Sequence, residues 1–431
     1  VDINDTAVFD KLESNVRSYC RGNSAVFERA EGATLFDENG EAYLDFLAGA
    51  GSLNYGHNHP ALRDQLVQYI TDGGVTHSLD FHTAAKRDFL ETFQEIILQP
   101  RQMNYVAQFT GPTGANAVEA ALKLARKVTG RASVVAFTNG FHGVTLGALA
   151  VTGNQHHRGG AGVPLDNVQR MPFAGYLDAD MDTLAYFEKA LSDKSSGVDL
   201  PACVIVETVQ GEGGLNVASG TWMRRLQKIC RAHSILLVVD DIQAGCGRTG
   251  TFFSFEGMGV EPDMVTLSKS LSGYGLPLAV TLIRPELDCW LPGEHNGTFR
   301  GFNHAFVTAK TALDVFWKDE QFQTEIQEKS KFVQEFITRM CRDLSPLKLS
   351  AKGRGLMQGL SFDRPELASA TAELARERNL VIETAGPNDE VLKFFPPLTI
   401  TFDELAAGLE IVEDSLREVL DEKIISPIAA E

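Results

Sequence analysis

Ile235-Leu236-Leu237-Val238-Val239-Asp240 is an apolar run closed by a carboxylate, and Met264-Val265-Thr266-Leu267-Ser268-Lys269 is a second run closed by an amine. Both have the length and β-branched content of buried strands. In open α/β sheets, ligand-binding groups gather at the carboxyl ends of the strands, where these two charged residues fall. The interval between them is long enough for one crossover, so the two ends can lie side by side in a parallel pair. Taken singly, each has an ordinary alternative. Asp240 could cap a helix, and Lys269 could be a surface lysine after a strand.

Outward from this pair, the pattern repeats. Residues 202–206 and 133–137 read as further strands, and residues 115–129 as a helix. Residues 222–233 place Trp222, Leu226, Ile229 and Cys230 at helical spacing. Alternating strands and helices predict an α/β fold with a mainly parallel sheet covered by helices on both faces. Beyond about residue 310 the pattern changes. Long helices are expected over 312–341, short strands at 357–362, 380–383 and 391–395, and a last helix over 402–422. Near the start, two strand-like runs flank Glu38-Asn39-Gly40, a hairpin signal. The division expected is a large domain over 56–310 and a smaller α+β domain built from 1–55 and 311–431.

The chain has 431 residues, 44% of them hydrophobic, enough for two domains with a large core. Its formal net charge of −18 argues against a nucleic-acid partner, which needs a basic footprint. The six cysteines are scattered without a C-x-x-C pair, so neither a disulfide framework nor a zinc site is expected. His57, His59, His156 and His157 have no matching ligand cluster in the sequence and are read as structural; no metal is expected. No run approaches the length of a membrane span. The start, Val1-Asp2-Ile3-Asn4-Asp5, lacks a signal-peptide core, and a cytoplasmic location is expected.

An amine, an acid, a flat ring partner and an anion cradle together are what pyridoxal 5′-phosphate requires of a protein. Lys269 can form an imine with the aldehyde. Asp240 can keep the pyridine nitrogen protonated, because opposite charge favours the ionised carboxylate. Phe141, between Gly140 and His142-Gly143, is the candidate to stack on the ring, and His142 is a further candidate contact. Thr110-Gly111-Pro112-Thr113-Gly114-Ala115 opens the helix-like 117–126, and free amides at a helix start suit a phosphate. Glu207 and Glu212 lie on the glycine-rich turn after 202–206. Two such acids could also suggest a glycosidase pair, but the surrounding architecture fits that poorly.

As an ordered set these motifs resemble the class III (ornithine/ω-amino acid) pyridoxal phosphate-dependent aminotransferases, over nearly the whole chain. The resemblance rests on Gly56-His57-Asn58-His59-Pro60, Glu119-Ala120-Ala121-Leu122-Lys123, Phe141-His142-Gly143, Gln210-Gly211-Glu212-Gly213-Gly214, Asp240 to Gly250, Ser268-Lys269, and Phe395-Pro396-Pro397-Leu398. It implies the fold type I of pyridoxal phosphate transferases. It also implies that Lys269 is the Schiff-base lysine and acid/base, and that Asp240 pairs with the ring nitrogen. Gln243 would contact the ring hydroxyl, and Thr113, Gly114 and Ala115 would hold the phosphate. Thr298 would reach the phosphate of a neighbouring subunit, making a homodimer with shared sites.

Four departures narrow the subgroup. Asn116 stands where the family usually has glutamate, and Asp241 does too. Phe299-Arg300-Gly301 follows Thr298 in place of Gly-Gly-Asn, and Lys393 stands in place of arginine. Together they are similar to the subgroup that aminates aspartate 4-semialdehyde with glutamate as donor. In that reading Glu212 masks Lys393 when a terminal amine reacts, and Arg300 is the other candidate for a substrate carboxylate. A diaminobutyrate aminotransferase serving siderophore or peptide biosynthesis, related enzymes acting on ornithine or 4-aminobutyrate, and a catalytically inactive protein of the same fold are the alternatives.

Overall fold

Side chains on a strand alternate between faces, and this alternation organises the centre of the molecule. The computed structural model describes residues 6–23, 25–177 and 181–425. Its largest sheet has seven strands: β1 (Val106–Phe109), β2 (Val134–Phe137), β3 (Val168–Met171), β4 (Cys203–Val206), β5 (Leu236–Asp240), β6 (Met264–Leu267) and β7 (Val280–Ile283). Their order is β1-β7-β6-β5-β4-β2-β3. β6, β5, β4, β2 and β3 pair in parallel, while β7 runs antiparallel to both its neighbours.

Leu237, Val239, Val265 and Leu267 enter one buried cluster, while Val238, Met264, Cys203 and Ile205 enter another on the opposite face. The second cluster is closed by helix α1 (Gly114–Thr129) through Val118, Ala121, Leu122 and Ala125. Thr281 Oγ1 donates to the Ala117 carbonyl at 3.0 Å and ties α1 to β7. A strand buried on both faces reads as a continuous apolar run, which is why β2, β4, β5 and β6 were legible.

Three strands of this sheet were not anticipated. β1 and β3 lie at the two edges of the sheet and carry polar residues, Gln108 in one and Gln169-Arg170 in the other. β7 is fully buried, but it follows Lys269 without a crossover helix. A strand reached that way must run back antiparallel, which the expectation of strand–helix alternation does not provide.

The flanking sheets draw on both ends of the chain. Phe27–Glu31, Thr34–Asp37 and Ala42–Asp45 form an antiparallel meander, which Leu380–Val381 joins in parallel. Ser350–Arg354, Met357–Ser361, Val391–Phe394 and Glu383–Ala385 form a second, antiparallel sheet. The single strand expected over 380–383 is therefore two. The chain breaks at Ile382 and changes sheet, so Glu383 comes to face Lys393 directly. The long helices expected over 312–341 are Asn303–Phe316 and Gln321–Asp343, the first beginning well before residue 312. Phe402–Ile425 is the last helix. Among the described residues, no helix is long and apolar enough to cross a membrane.

The hairpin before Met357 gives a test of the fold. Gly353 has φ +80°, and a Cβ there would lie 1.9 Å from the Met357 carbonyl oxygen. Neither the backbone conformation nor the space suits an L side chain. Gly353→Ala is expected to destabilise the protein by more than about 1 kcal/mol, read as a fall in the urea midpoint. An unchanged midpoint would mean the hairpin is wrongly described.

Candidate active site

Phe141, Glu207, Asp240 and Lys269 enter at the carboxyl edge of the central sheet. Asp240 is the last residue of β5, and Thr266 of β6 lies opposite it in register. Thr266 Oγ1 donates to Asp240 Oδ1 at 3.0 Å, and the Ile242 amide donates to the same oxygen at 3.2 Å. The other oxygen, Oδ2, is 2.7 Å from His142 Nδ1. Both residues are buried. Burial opposes a charge on His142, but the bond to Asp240 and the Asp240 charge outweigh it and hold the imidazole above its usual pKa. His142 is thus a partner of the acid.

Glu207 follows β4 and is buried, with its pKa pushed up to about 7 chiefly by that burial. Its carboxyl accepts from the Phe141 amide at 2.9 Å and the Gly211 amide at 3.3 Å. It therefore holds together the Phe141 loop, which follows β2, and the turn carrying Glu212.

Lys269 follows β6 at the head of a short 3₁₀ turn, with φ +51°. A non-glycine residue in that region stores strain of order 1–3 kcal/mol, and such strain collects where a side chain must be aimed. The amine lies below the usual lysine range. Burial is the main cause, Glu212 opposes it, and the charge of Lys393 adds to it. A depressed lysine keeps more of its amine free to attack or to accept a proton.

These groups share one cavity, lined by Gly114, Ala115, Phe141, His142, Glu207, Glu212, Asp240, Gln243 and Lys269, with Gly143 and Ile242 completing the wall. Gly114 is required by the close approach of Ile242, whose Cδ1 would lie 2.9 Å from a Cβ. The start of α1 is thereby brought against the cavity, and its first amides have no partner within the helix. Thr113 is not part of that lining. Its hydroxyl donates to Asn116 Oδ1 at 2.8 Å, and its amide bonds the same oxygen at 3.2 Å. Asn116, one of the departures, thus turns Thr113 toward its own helix cap. Nor do Thr298 and Arg300 reach the cavity in their own chain. Thr298 is exposed, and Arg300 Nη1 bonds Asn296 Oδ1 at 3.1 Å.

Outward, the cavity opens into a cleft that Lys269 and Glu212 share with Tyr19, His156, His157, Arg376 and Glu383. His157 meets Phe141 edge-on, with ring centroids 5.6 Å apart. Lys393 lies between two acids, its Nζ 2.9 Å from Glu383 Oε1 and 3.3 Å from Glu212 Oε1. The Lys393 side chain is 0% exposed. Burial opposes its charge, but Glu212 and Glu383 hold its pKa above the usual range. Burial alone would raise Glu212; Lys393 and Lys269 instead bring it below the ordinary carboxylate range. Glu383 remains above that range, because burial outweighs the help it receives from Lys393. Glu383 escaped the sequence reading, since only the pairing of its strand places it opposite Lys393.

An acid, an amine and a helix start around one cavity define a site for an aldehyde cofactor carrying an anion, and comparison with known proteins agrees. Residues 19–416 match the family model described as aminotransferase class-III, and the chain belongs to that family of pyridoxal phosphate-dependent aminotransferases. A protein from Vibrio parahaemolyticus named diaminobutyrate–2-oxoglutarate transaminase is 59% identical over 412 residues, covering 96% of this chain and 97% of its own. One of the same name from Halomonas elongata is 54% identical over 416 residues, covering 96% and 99%. Among solved structures, an ornithine aminotransferase from Toxoplasma gondii, described with partial occupancy of PLP at its active site, superposes with a TM-score of 0.83. It is 27% identical and covers 97% of this chain and 95% of that one.

The residues present fit the cofactor. The cavity combines the free helix amides, an ionisable acid anchored on three sides and an amine. Gln243 Oε1 is buried and accepts no hydrogen bond, while its amide nitrogen donates to the Ala50 carbonyl at 3.2 Å and to Glu212 at 3.0 Å. An unused buried acceptor is costly, and a ring hydroxyl would satisfy it.

Proposed function

We propose that this chain moves an amino group from L-glutamate to the terminal aldehyde of L-aspartate 4-semialdehyde, giving 2-oxoglutarate and L-2,4-diaminobutyrate, the first step of ectoine biosynthesis. The observation that carries the reading is the Glu212–Lys393 contact, with Glu212 lining the same cavity as Lys269, joined to the names of the two relatives described above.

Bound pyridoxal phosphate supplies an aldehyde that takes up the amino group and a protonated ring that accepts electron density. The chain's residues divide the remaining work. Lys269 would hold the aldehyde, and its amine would move the proton at the substrate carbon that bears the amine. Asp240, fixed by Thr266, Ile242 and His142, keeps the ring nitrogen protonated. Gly114 and Ala115 would offer helix-start amides to the phosphate, Phe141 would stack on the ring, and Gln243 Oε1 would receive the ring hydroxyl. Glu207 keeps the Phe141 loop in place.

Two kinds of amine must react at one lysine. Glutamate reacts through its α-amine and brings its α-carboxylate close to the reacting carbon. Diaminobutyrate reacts through its terminal amine and keeps its carboxylate further out. Glu212 occupies Lys393 in one arrangement and withdraws in the other. Lysine lacks the two-pronged grip of arginine, so a substrate carboxylate is bound as a point charge. Lys393→Ala is expected to raise the Michaelis constants of glutamate and diaminobutyrate about tenfold or more, the scale of one charged hydrogen bond. Steady-state kinetics with each donor check this, and unchanged constants would remove Lys393 from the site.

We infer a homodimer. Thr298 sits on an exposed loop where Phe299 packs on His77 with ring centroids 5.2 Å apart. Asp80, Leu291 and Arg300 line one hollow beside it. A second copy covering this face would bring Thr298 to its neighbour's phosphate. The whole reading is tested by a panel of amino donors and aldehyde acceptors on the purified enzyme. Preference for ornithine or 4-aminobutyrate over diaminobutyrate would replace it with another ω-amine substrate, and no transamination at all would leave an inactive member of the fold.

A further inference from the structure

Resting on that reading, we propose that Glu383 is a positioning residue. It stays on Lys393 when Glu212 withdraws, and so keeps that lysine charged and in place for the α-carboxylate of glutamate. The reason lies in a lysine standing where arginine is usual. A guanidinium is charged wherever it lies, whereas a buried ammonium readily gives up its proton. Lys393 is wholly buried. Among the described residues its ammonium has three supports: Glu383 at 2.9 Å, Glu212 at 3.3 Å, and the ring of Phe395, whose centroid is 4.5 Å away. That ring is already shared with Arg248, at 4.1 Å. Once Glu212 leaves, Glu383 is the one acid on Lys393. A buried charge with no acid beside it tends to neutralise.

The two acids differ in their surroundings. Glu212 has other partners, since Gln243 Nε2 donates to it at 3.0 Å and the charge of Lys269 acts on it. It stands on the turn after β4 with its side chain 34% exposed. Glu383 bonds Lys393 and, among the described residues, no other side chain. It is 15% exposed and opens the strand Glu383–Ala385. Lys393 lies on the strand between that one and Met357–Ser361, with Glu383 and Gly359 as its partners in register. Glu212 is thus the acid free to leave, and Glu383 is the one that stays.

Lys269 completes the account of charge. Its amine acts on both acids, and the charge of Lys393 acts back on it. Two amines thus face two acids. Asp240, which also acts on Lys269, has its own partner in His142. Tyr19 faces the group from the N-terminal turn, but burial and the two acids push its phenol up to about 12, so it adds no charge near neutral pH. Lys269 serves the reacting carbon in both half-reactions and does not distinguish them. What distinguishes them is the carboxylate beside Glu383 on Lys393. When the terminal amine of diaminobutyrate reacts, Glu212 stays on Lys393 and masks it. When glutamate reacts through its α-amine, Glu212 withdraws and the α-carboxylate takes its place. One carboxylate replaces another, and Glu383 holds Lys393 throughout the exchange. Glutamate therefore depends on Glu383, whereas diaminobutyrate, with Glu212 in place, does not.

The test compares Glu383→Gln with wild type on glutamate and on diaminobutyrate. For glutamate, kcat/KM is expected to fall about tenfold or more, mostly through KM, the scale of one hydrogen bond to a charged group. For diaminobutyrate the change should stay within about twofold, which also shows that the variant is folded. The pH profile separates charge from shape. Burial works against the charge of Lys393, while Glu212 and Glu383 hold it. With Glu212 withdrawn and residue 383 neutral, Lys393 discharges at lower pH. The alkaline limb of kcat/KM for glutamate should therefore move to lower pH in Glu383→Gln and return toward the wild-type position in Glu383→Asp. Equal losses on both donors, unchanged constants for glutamate, or an alkaline limb that does not move would overturn the role of Glu383. A wild-type enzyme that uses glutamate but not diaminobutyrate would overturn the proposed function instead, and the glutamate constants with their pH profile would still decide on Glu383.

Discussion

Lys269→Ala is expected to lower amino-group transfer by at least about 10⁴-fold, the upper end of what a positioned acid/base contributes. Two roles vanish together, since the same amine holds the aldehyde and moves the proton. Among the described residues, no other amine lines the cavity. Lys393 also lies near the cavity, but it is wholly buried and bonded to two acids. The cofactor should still bind non-covalently, because Gly114, Ala115, Asp240 and Gln243 are untouched by the change. The measurement is single-turnover reaction with glutamate, together with the absorption of bound cofactor. Partial rescue by a small added amine would identify the loss as that of a base. Full activity in the variant would end the assignment of Lys269.

Asp240→Asn is expected to cost about 10²–10³-fold in turnover, the range found when one preorganised electrostatic partner of a transition state is removed. The substitution keeps the shape but removes the charge that would hold the ring nitrogen protonated. Its second effect falls on His142, which has Asp240 Oδ2 at 2.7 Å. His142 has a folded pKa raised by this partner. The stability it contributes is fully present below the unfolded histidine value of about 6.5. It is lost as pH rises through the folded value. The stability difference between wild type and Asp240→Asn should therefore be widest at mildly acidic pH and narrow above it. Denaturant titrations across pH 5 to 9 (a span chosen to bracket roughly that histidine value) would check this. A gap that widens with rising pH would contradict the His142–Asp240 pairing.

Much of the architecture was legible because it is local. β2, β4, β5 and β6 are buried on both faces and announce themselves as apolar runs, and α1 carries its period on one side. The edge strands β1 and β3 were hidden, because a strand with partly accessible polar residues has no continuous apolar signature. Thr113 shows a subtler limit. The sequence has a helix-opening threonine at the right place, but the carboxamide of Asn116 draws its hydroxyl into the cap. Only the positions of both side chains could reveal that competition.

Residue order alone set Asp240 and Lys269 at the ends of adjacent parallel strands, put a helix start near them and arranged the motifs of an aminotransferase. Those features follow from strand length, apolar periodicity and the turn after each strand, all properties of short stretches. The company that Lys393 keeps was decided by tertiary structure. Glu212 reaches it from the turn after β4, and Glu383 faces it because the chain changes sheet at Ile382. Pairing register across strands depends on where a hairpin turns and how sheets meet, and a shift of one residue would point Glu383 the other way. The amine that performs the chemistry was therefore readable from the chain, whereas the charges that sort its substrates exist only in the folded sheet.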